Sequence, residues 1–269
     1  MDEDKVKIKF QFPEIKPSVK DDESFVQVIL DDMRASGDIG YTGYDSEASF
    51  KDELVWTIGK KDIVGYEPIS KAKKASLGRE VRTVLERCHR ALPHPDLPIF
   101  VFIYPWFPSM DDRASFGGVT AFTAYYSMHI FIDLRSYTEE SLAHTIAHEW
   151  NHLVFYRYHT EPERTIRTNI AMEGLAEIFR EEVFGGEPAP WSVSIPASKA
   201  KTSLLALGGV LEATDHSTYR DVFYGGHGYE RWTGYSIGYH LSKEFREENT
   251  DLSWTDIVKK DPRDILGNK

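Results

Sequence analysis

The stretch that most constrains the chain is LAHTIAHEWNHL, Leu142 to Leu153. Leu142, Ile146, Trp150 and Leu153 recur at helical spacing and form one apolar stripe, so the segment reads as a helix with a buried side. His148 and His152 stand four residues apart on that helix. At 3.6 residues per turn they are separated by about 400° of rotation, so both imidazoles leave nearly the same face, one turn apart. Glu149 is turned about 100° from His148 and about 60° from His152. Two rings so placed can reach one metal ion, with a carboxylate close enough to act on water bound there without ligating. His144 lies one turn earlier on the same face, but no glutamate follows it, and it reads as a supporting or surface histidine.

H-E-x-x-H is the arrangement of zinc hydrolases, yet a motif this short also arises by chance and needs a third ligand elsewhere. The extension H-E-x-x-H-x-x-G-x-x-H fails, because Phe155 occupies the glycine position and Tyr158 that of the third histidine. A cysteine ligand has only Cys88 to draw on, with no motif around it. EGLAE, Glu173 to Glu177, fits better. Its two glutamates share a helix face, so one can ligate while the other accepts the outer N–H of a ligand histidine. Gly174 between them allows another helix to approach closely. The competing reading is a solvated acidic stripe that continues to Glu181.

Around these motifs the pattern is one of strands followed by helices without regular alternation, which predicts an α+β fold. Residues 1–60 give little beyond a helix at SFVQVILDDMR. From Ile69 to Leu92, apolar Leu77, Val81, Val84, Leu85 and Cys88 predict a helix, ended by PHPDLP. IFVFIYPWF predicts a buried strand, SMDDRASFGG a break, and VTAFTAYYSMHIFIDL a second β-rich stretch. In the latter, Met128, Ile130, Ile132 and Leu134 alternate with His129, Phe131 and Asp133, the pattern of a half-buried strand at a sheet edge. A capping box at Ser136, S-Y-T-E, introduces the histidine helix. HTEPERTIRTN follows as a polar connection, and NIAMEGLAEIFREEVF is a helix closed by Gly185 and Gly186. Shorter helical pieces lie at SLLALGGVLEA and SWTDIVKKD. Between them a helix begins near Tyr235, with Ile237, Leu241 and Phe245 on one face.

Composition excludes several functions. With 41% hydrophobic and 28% charged residues among 269, the chain is that of a folded protein. A net charge of -11 leaves no basic surplus for phosphates, so no nucleic-acid partner is expected. The opening MDEDKVKIKFQF has no signal-peptide core, and no apolar run is long enough to span a membrane. One cysteine, Cys88, rules out an internal disulfide and suits a cytoplasmic location.

AHEWNH followed by EGLAE resembles the gluzincins, metallopeptidases with a glutamate as third zinc ligand. The chain looks most like a bacterial and archaeal family of predicted zinc-dependent proteases. The likeness runs from about residue 65 to 260, through IFVFIYP, FGGVTAF, the two motifs and WTGYSIGYHL, and is specific at the motifs. It implies one zinc ion held by His148, His152 and Glu173, with Glu149 as general base and Glu177 supporting a ligand histidine. It also implies a zincin-like fold: a small mixed or antiparallel sheet packed on the metal-binding helix, with an edge strand, TAFTAYY or MHIFIDL, over the active site. Residues 61–269 would form this peptidase domain, and residues 1–60 an N-terminal extension of unassigned role. The implied reaction is hydrolysis of peptide bonds in peptides or unfolded proteins by metal-bound water that Glu149 activates. The oxyanion of such a reaction takes a second donor. Tyr235 is the first candidate, since gluzincins use a tyrosine beyond the glutamate ligand and Tyr235 follows Gly234 at a helix start. Tyr239, His227, Tyr229 and Arg231 are the others, while His216 and His240 read as structural. A zinc-stabilised binding or regulatory protein that keeps the motif without hydrolysis is the alternative. The sequence assigns no oligomeric state.

Overall fold

The computed structural model describes residues 5–14, 19, 21–58, 66, 68–94, 98–161 and 163–267. The chain divides into two units, Met1–Arg90 with His94–Leu153, and Ala91–Pro93 with Val154–Lys269. The first holds β1 (Val6–Phe10), α1 (Asp22–Ser36), a 3-10 turn (Asp38–Tyr41), α2 (Glu47–Ile58) and α3 (Lys71–Ala91). It continues through β2 (Ile99–Pro105), α4 (Met110–Phe116), β3 (Val119–Ala124), β4 (Ser127–Ile132) and α5 (Glu139–Phe155), inside whose last turn the division falls. The four strands make a mixed sheet in the order β1-β2-β4-β3, with β2 parallel to β1 and β4, and β3 antiparallel to β4.

This sheet is covered by helices on both faces. Register places Phe102, Tyr104, His129, Phe131 and Phe122 on one face, where they meet Phe25, Ile29, Leu30 and Met33 of α1 and Phe50, Leu54 and Ile58 of α2. On the opposite face Phe10 packs against Gly78 of α3, and Thr123 reaches α5. The sequence pattern misleads here. VTAFTAYYSMHIFIDL is two strands that reverse at Tyr125 and Tyr126, and β4 is an internal strand, buried throughout, not the edge. Its alternation separates two buried layers instead of core from water.

His129 is the polar exception in that layer. Its Nε2–H donates to the Thr42 carbonyl at 2.9 Å, and Nδ1 accepts from the Tyr104 hydroxyl at 3.0 Å. Phe102 and Phe122 stack on the ring at 5.1 and 4.7 Å. Both nitrogens are satisfied in the neutral imidazole.

Local chemistry explains further departures. SMDDRASFGG, expected as a break, contains α4, capped by Ser109 accepting from the Asp112 N–H and stopped by Gly117 in the left-handed region. Helix α5 starts two residues later than the Ser136 box predicts. Asp133 accepts from Arg113, Arg135 and Ser136 and turns the chain there, and Thr138 and Ser141 then form the reciprocal cap. The segment 1–60, read as an extension, supplies β1 to the sheet and α1 and α2 to a core cluster on one of its faces. The expected boundary near residue 60 and the middle of PHPDLP lie outside the described residues, as does residue 162 of the polar connection.

The second unit comprises α6 (Ile166–Phe184), α7 (Ala197–Ala206), α8 (His216–Tyr224), α9 (Thr233–Glu248), α10 (Trp254–Ile257) and α11 (Pro262–Ile265), with 3-10 turns at Pro190–Val193 and Gly208–Val210. Thr165 caps α6, and Gly185 at φ 77° ends it. Helices α6 and α9 touch backbone to backbone: a Cβ on Gly174 would overlap the Gly238 carbonyl, and one on Gly238 would overlap that of Ile170. The fold is mixed α+β, as the sequence predicts at that level. No helix among the described residues is long and apolar enough to cross a membrane.

Candidate metal centre

Leu142, Ile146, Trp150 and Leu153 of α5 are fully buried, so the stripe read from the sequence anchors the helix. Trp150 sets its ring edge-on to His89 of α3 at 5.8 Å and to His94 at 5.9 Å. With that side fixed, the other presents His148, Glu149 and His152. Their ligand atoms all lie within 4.8 Å of one another. The two imidazoles are 4.5 Å apart between centroids and nearly perpendicular, at 86°. His148 is half-buried, while Glu149 and His152 are buried. Two imidazole nitrogens beside a carboxylate suit zinc, whose bonds to histidine are about 2.0–2.1 Å long. Among the described residues this is the one group of three histidines, cysteines or carboxylates so gathered.

Glu149 has a partner that sequence reasoning missed. The Thr123 hydroxyl, on edge strand β3, donates to Glu149 Oε2 at 2.7 Å. Nothing in the motif points to it, because the two residues meet only through the sheet. The edge strand beside this helix is therefore TAFTA, of the two expected.

The remaining candidates belong to the second unit. Glu173 and Glu177 are buried at 6% and 2% exposure on α6, which removes the solvated-stripe reading. Glu177 accepts from the buried guanidinium of Arg180 at 3.1 Å, and Arg180 also donates to the Glu187 carbonyl at 3.0 Å. Tyr235 lies on the first turn of α9, edge-on to Phe223 at 5.0 Å, its hydroxyl 3.4 Å from that of Tyr224. Burial pushes its phenol well above the ordinary range, and Tyr219, Tyr224 and the charge of Glu173 push it further. Tyr219, hydrogen-bonded to Tyr235, is raised by burial first, then by Tyr224 and Glu173. The charge of Glu173 thus bears on two tyrosines, Tyr235 of α9 and Tyr219 of α8, a helix the sequence reading did not find.

The other donor candidates are occupied differently. Tyr239 donates to Glu181 at 3.3 Å and accepts from Lys243 at 3.2 Å, two turns along α6 from Glu173. His227 is exposed, with Nδ1 2.6 Å from Asp221 and a backbone φ of 46°. Tyr229 pairs its backbone with Gly226, and Arg231 lies over the Trp232 ring at 4.3 Å. His240 contacts the Ile195 carbonyl at 2.9 Å, a structural role as expected.

No solved structure matches the chain. Uncharacterized protein YjfC of Bacillus subtilis (strain 168) is 25% identical over 164 residues, which cover 56% of this chain and 53% of that protein. The chain thus spans about half the length of this relative. Residues 77–267, well over half the chain and including both motifs, match the family described as "Predicted Zn-dependent protease (DUF2268)". With a His148, Glu149 and His152 cluster inside the matched region, the chain belongs to this family of predicted zinc-dependent proteases.

Proposed function

We propose that the protein is a zinc-dependent peptidase of gluzincin type that hydrolyses peptides or unfolded protein segments in the cytoplasm. The observation that carries this reading is the cluster on α5, where two imidazoles and a buried carboxylate bring their ligand atoms within 4.8 Å of one another. His148 and His152 would hold the ion, and the EGLAE motif nominates Glu173 as third protein ligand. Once bound, zinc supplies a Lewis acid that polarises a carbonyl and acidifies water to a pKa near about 7.

The chain's own residues do the rest. Glu149 takes the proton of the attacking water and passes it to the leaving amine, a transfer that needs a carboxylate held in one orientation. Tyr235 keeps its phenolic proton at neutral pH, because burial raises its pKa, and it donates that proton's hydrogen bond to the developing oxyanion. Glu177, held by Arg180, is suited to accept the outer N–H of a ligand histidine.

Replacing Glu149 with Gln tests the reading with an internally quenched peptide pool and labelled casein, alongside zinc analysis by mass spectrometry. Glu149→Gln is expected to lose hydrolysis by at least about 100-fold while keeping about one zinc per chain. His148→Ala and His152→Ala are expected to lose the metal. Full activity in Glu149→Gln would remove the assignment.

A further inference from the structure

The contact between Thr123 and Glu149 joins two parts of the site that are otherwise separate elements. Strand β3 has β4 on one side and is the last strand of the sheet. The Asp133 N–H donates to the Gly118 carbonyl at 2.9 Å, one step before the Val119 and Ile132 pair of the antiparallel ladder. Hydrogen-bonded pairs then recur at every second residue, at Thr120 and Phe122. Val119, Ala121 and Thr123 turn their backbone N–H and C=O away from β4. Thr123 therefore faces outward with its main chain while its side chain meets α5.

A threonine in a strand is stiff at its first side-chain torsion, so the position of its hydroxyl is set by the backbone of β3. Glu149 is flexible by comparison, with three torsions. Thr123 Oγ1, with a single proton to give, lies 2.7 Å from Glu149 Oε2 and 3.2 Å from the Glu149 carbonyl oxygen, so the carboxylate is the closer acceptor. Holding Oε2 restrains the carboxylate and leaves Oε1 to receive a proton. A hydrogen bond to a charged acceptor is also among the stronger ones, enough to select one rotamer of a buried side chain.

We propose that Thr123 is the positioning residue for the Glu149 carboxylate, and that the edge strand thereby sets the direction in which the base points. The proposal rests on the peptidase reading above. It adds that the last strand of the sheet, whose outward-turned backbone would pair with an extended peptide, also aims the proton acceptor, so that peptide register and base orientation are tied through one residue.

Thr123→Val keeps the shape and removes the donor; Thr123→Ser restores it. In zinc-loaded full-length protein assayed with quenched peptides and casein, Thr123→Val is expected to lower kcat by about 10- to 100-fold with KM within about two-fold. Zinc content should stay unchanged, and Thr123→Ser should regain most of the rate. In zinc-free protein, Thr123→Val should lower the melting temperature in the Glu149 background and much less in a Glu149→Ala background. A kcat for Thr123→Val within two-fold of wild type, or a Thr123→Ser variant as slow as Thr123→Val, overturns the positioning role. Equal melting losses in the two backgrounds overturn the hydrogen bond itself. Hydrolysis of neither substrate by the wild type overturns the peptidase reading and the positioning role together, while the melting comparison still reports separately on the pair.

Discussion

Glu149 and His129 are both buried polar side chains, and their surroundings suit them to opposite tasks. Glu149 is held at one oxygen by Thr123, whereas both nitrogens of His129 are consumed by Tyr104 and Thr42. Burial pushes the His129 imidazole down to about 3, far below an ordinary histidine. Below about pH 6.5 the unfolded chain binds a proton that the folded chain refuses, so stability falls as the pH drops from about 6.5 towards 3. The slope from this residue is at most about 1.4 kcal/mol per pH unit. Urea unfolding at pH 7, 6, 5 and 4 should show that decline. His129→Phe, which keeps the stacked ring, should start lower and decline less; an equal slope would assign the acid sensitivity elsewhere. At this scale the histidine motif was legible because a spacing of four is local. Thr123, Tyr219 and Tyr224 were not, because the sheet and α8 bring them to their partners.

Between helices, the crossing of α6 and α9 decides where Tyr235 stands relative to Glu173. Two glycines, Gly174 and Gly238, let the backbones touch, and a methyl at either would overlap a carbonyl of the other helix. Gly174→Ala should separate the helices and cost about 1–3 kcal/mol, an overpacking penalty readable as a melting-temperature loss of several degrees. An unchanged melting temperature would mean the helices can slide apart freely. EGLAE announced that a close approach would occur, but not with which helix, since one glycine carries no information about its partner. Strand β4 was misplaced for a related reason: alternation reports two distinct faces, and only tertiary structure says whether one of them is wet. The start of α5 slipped by two residues because Asp133 gathers two arginines and Ser136 before the helix begins.

For the molecule as a whole, the sequence pointed to an appended N-terminal segment, and the structure puts its side chains in a core. Phe25, Ile29, Leu30, Met33, Phe50, Leu54 and Ile58 are fully buried, in one cluster with Phe102, Tyr104 and Phe131 of the sheet. A chain beginning at residue 61 would leave that face of β2 and β4 open to water. Such a truncation should give no cooperative melting transition and little soluble protein, whereas a soluble, sharply melting product would mark the segment as dispensable. Composition alone could not have placed it, because β1 alternates lysine with apolar side chains and reads as a half-exposed piece until its partner β2 is known. That alternation has a further consequence in time. Val6 pairs with Ile99, so more than ninety residues of chain separate β1 from its strand partner. At a synthesis rate of about 5–20 residues per second, β1 waits roughly 5–20 s on the ribosome with its backbone unpaired. Lys7 and Lys9 put two like charges into that waiting strand, which discourages it from pairing with a copy on a neighbouring nascent chain before β2 arrives.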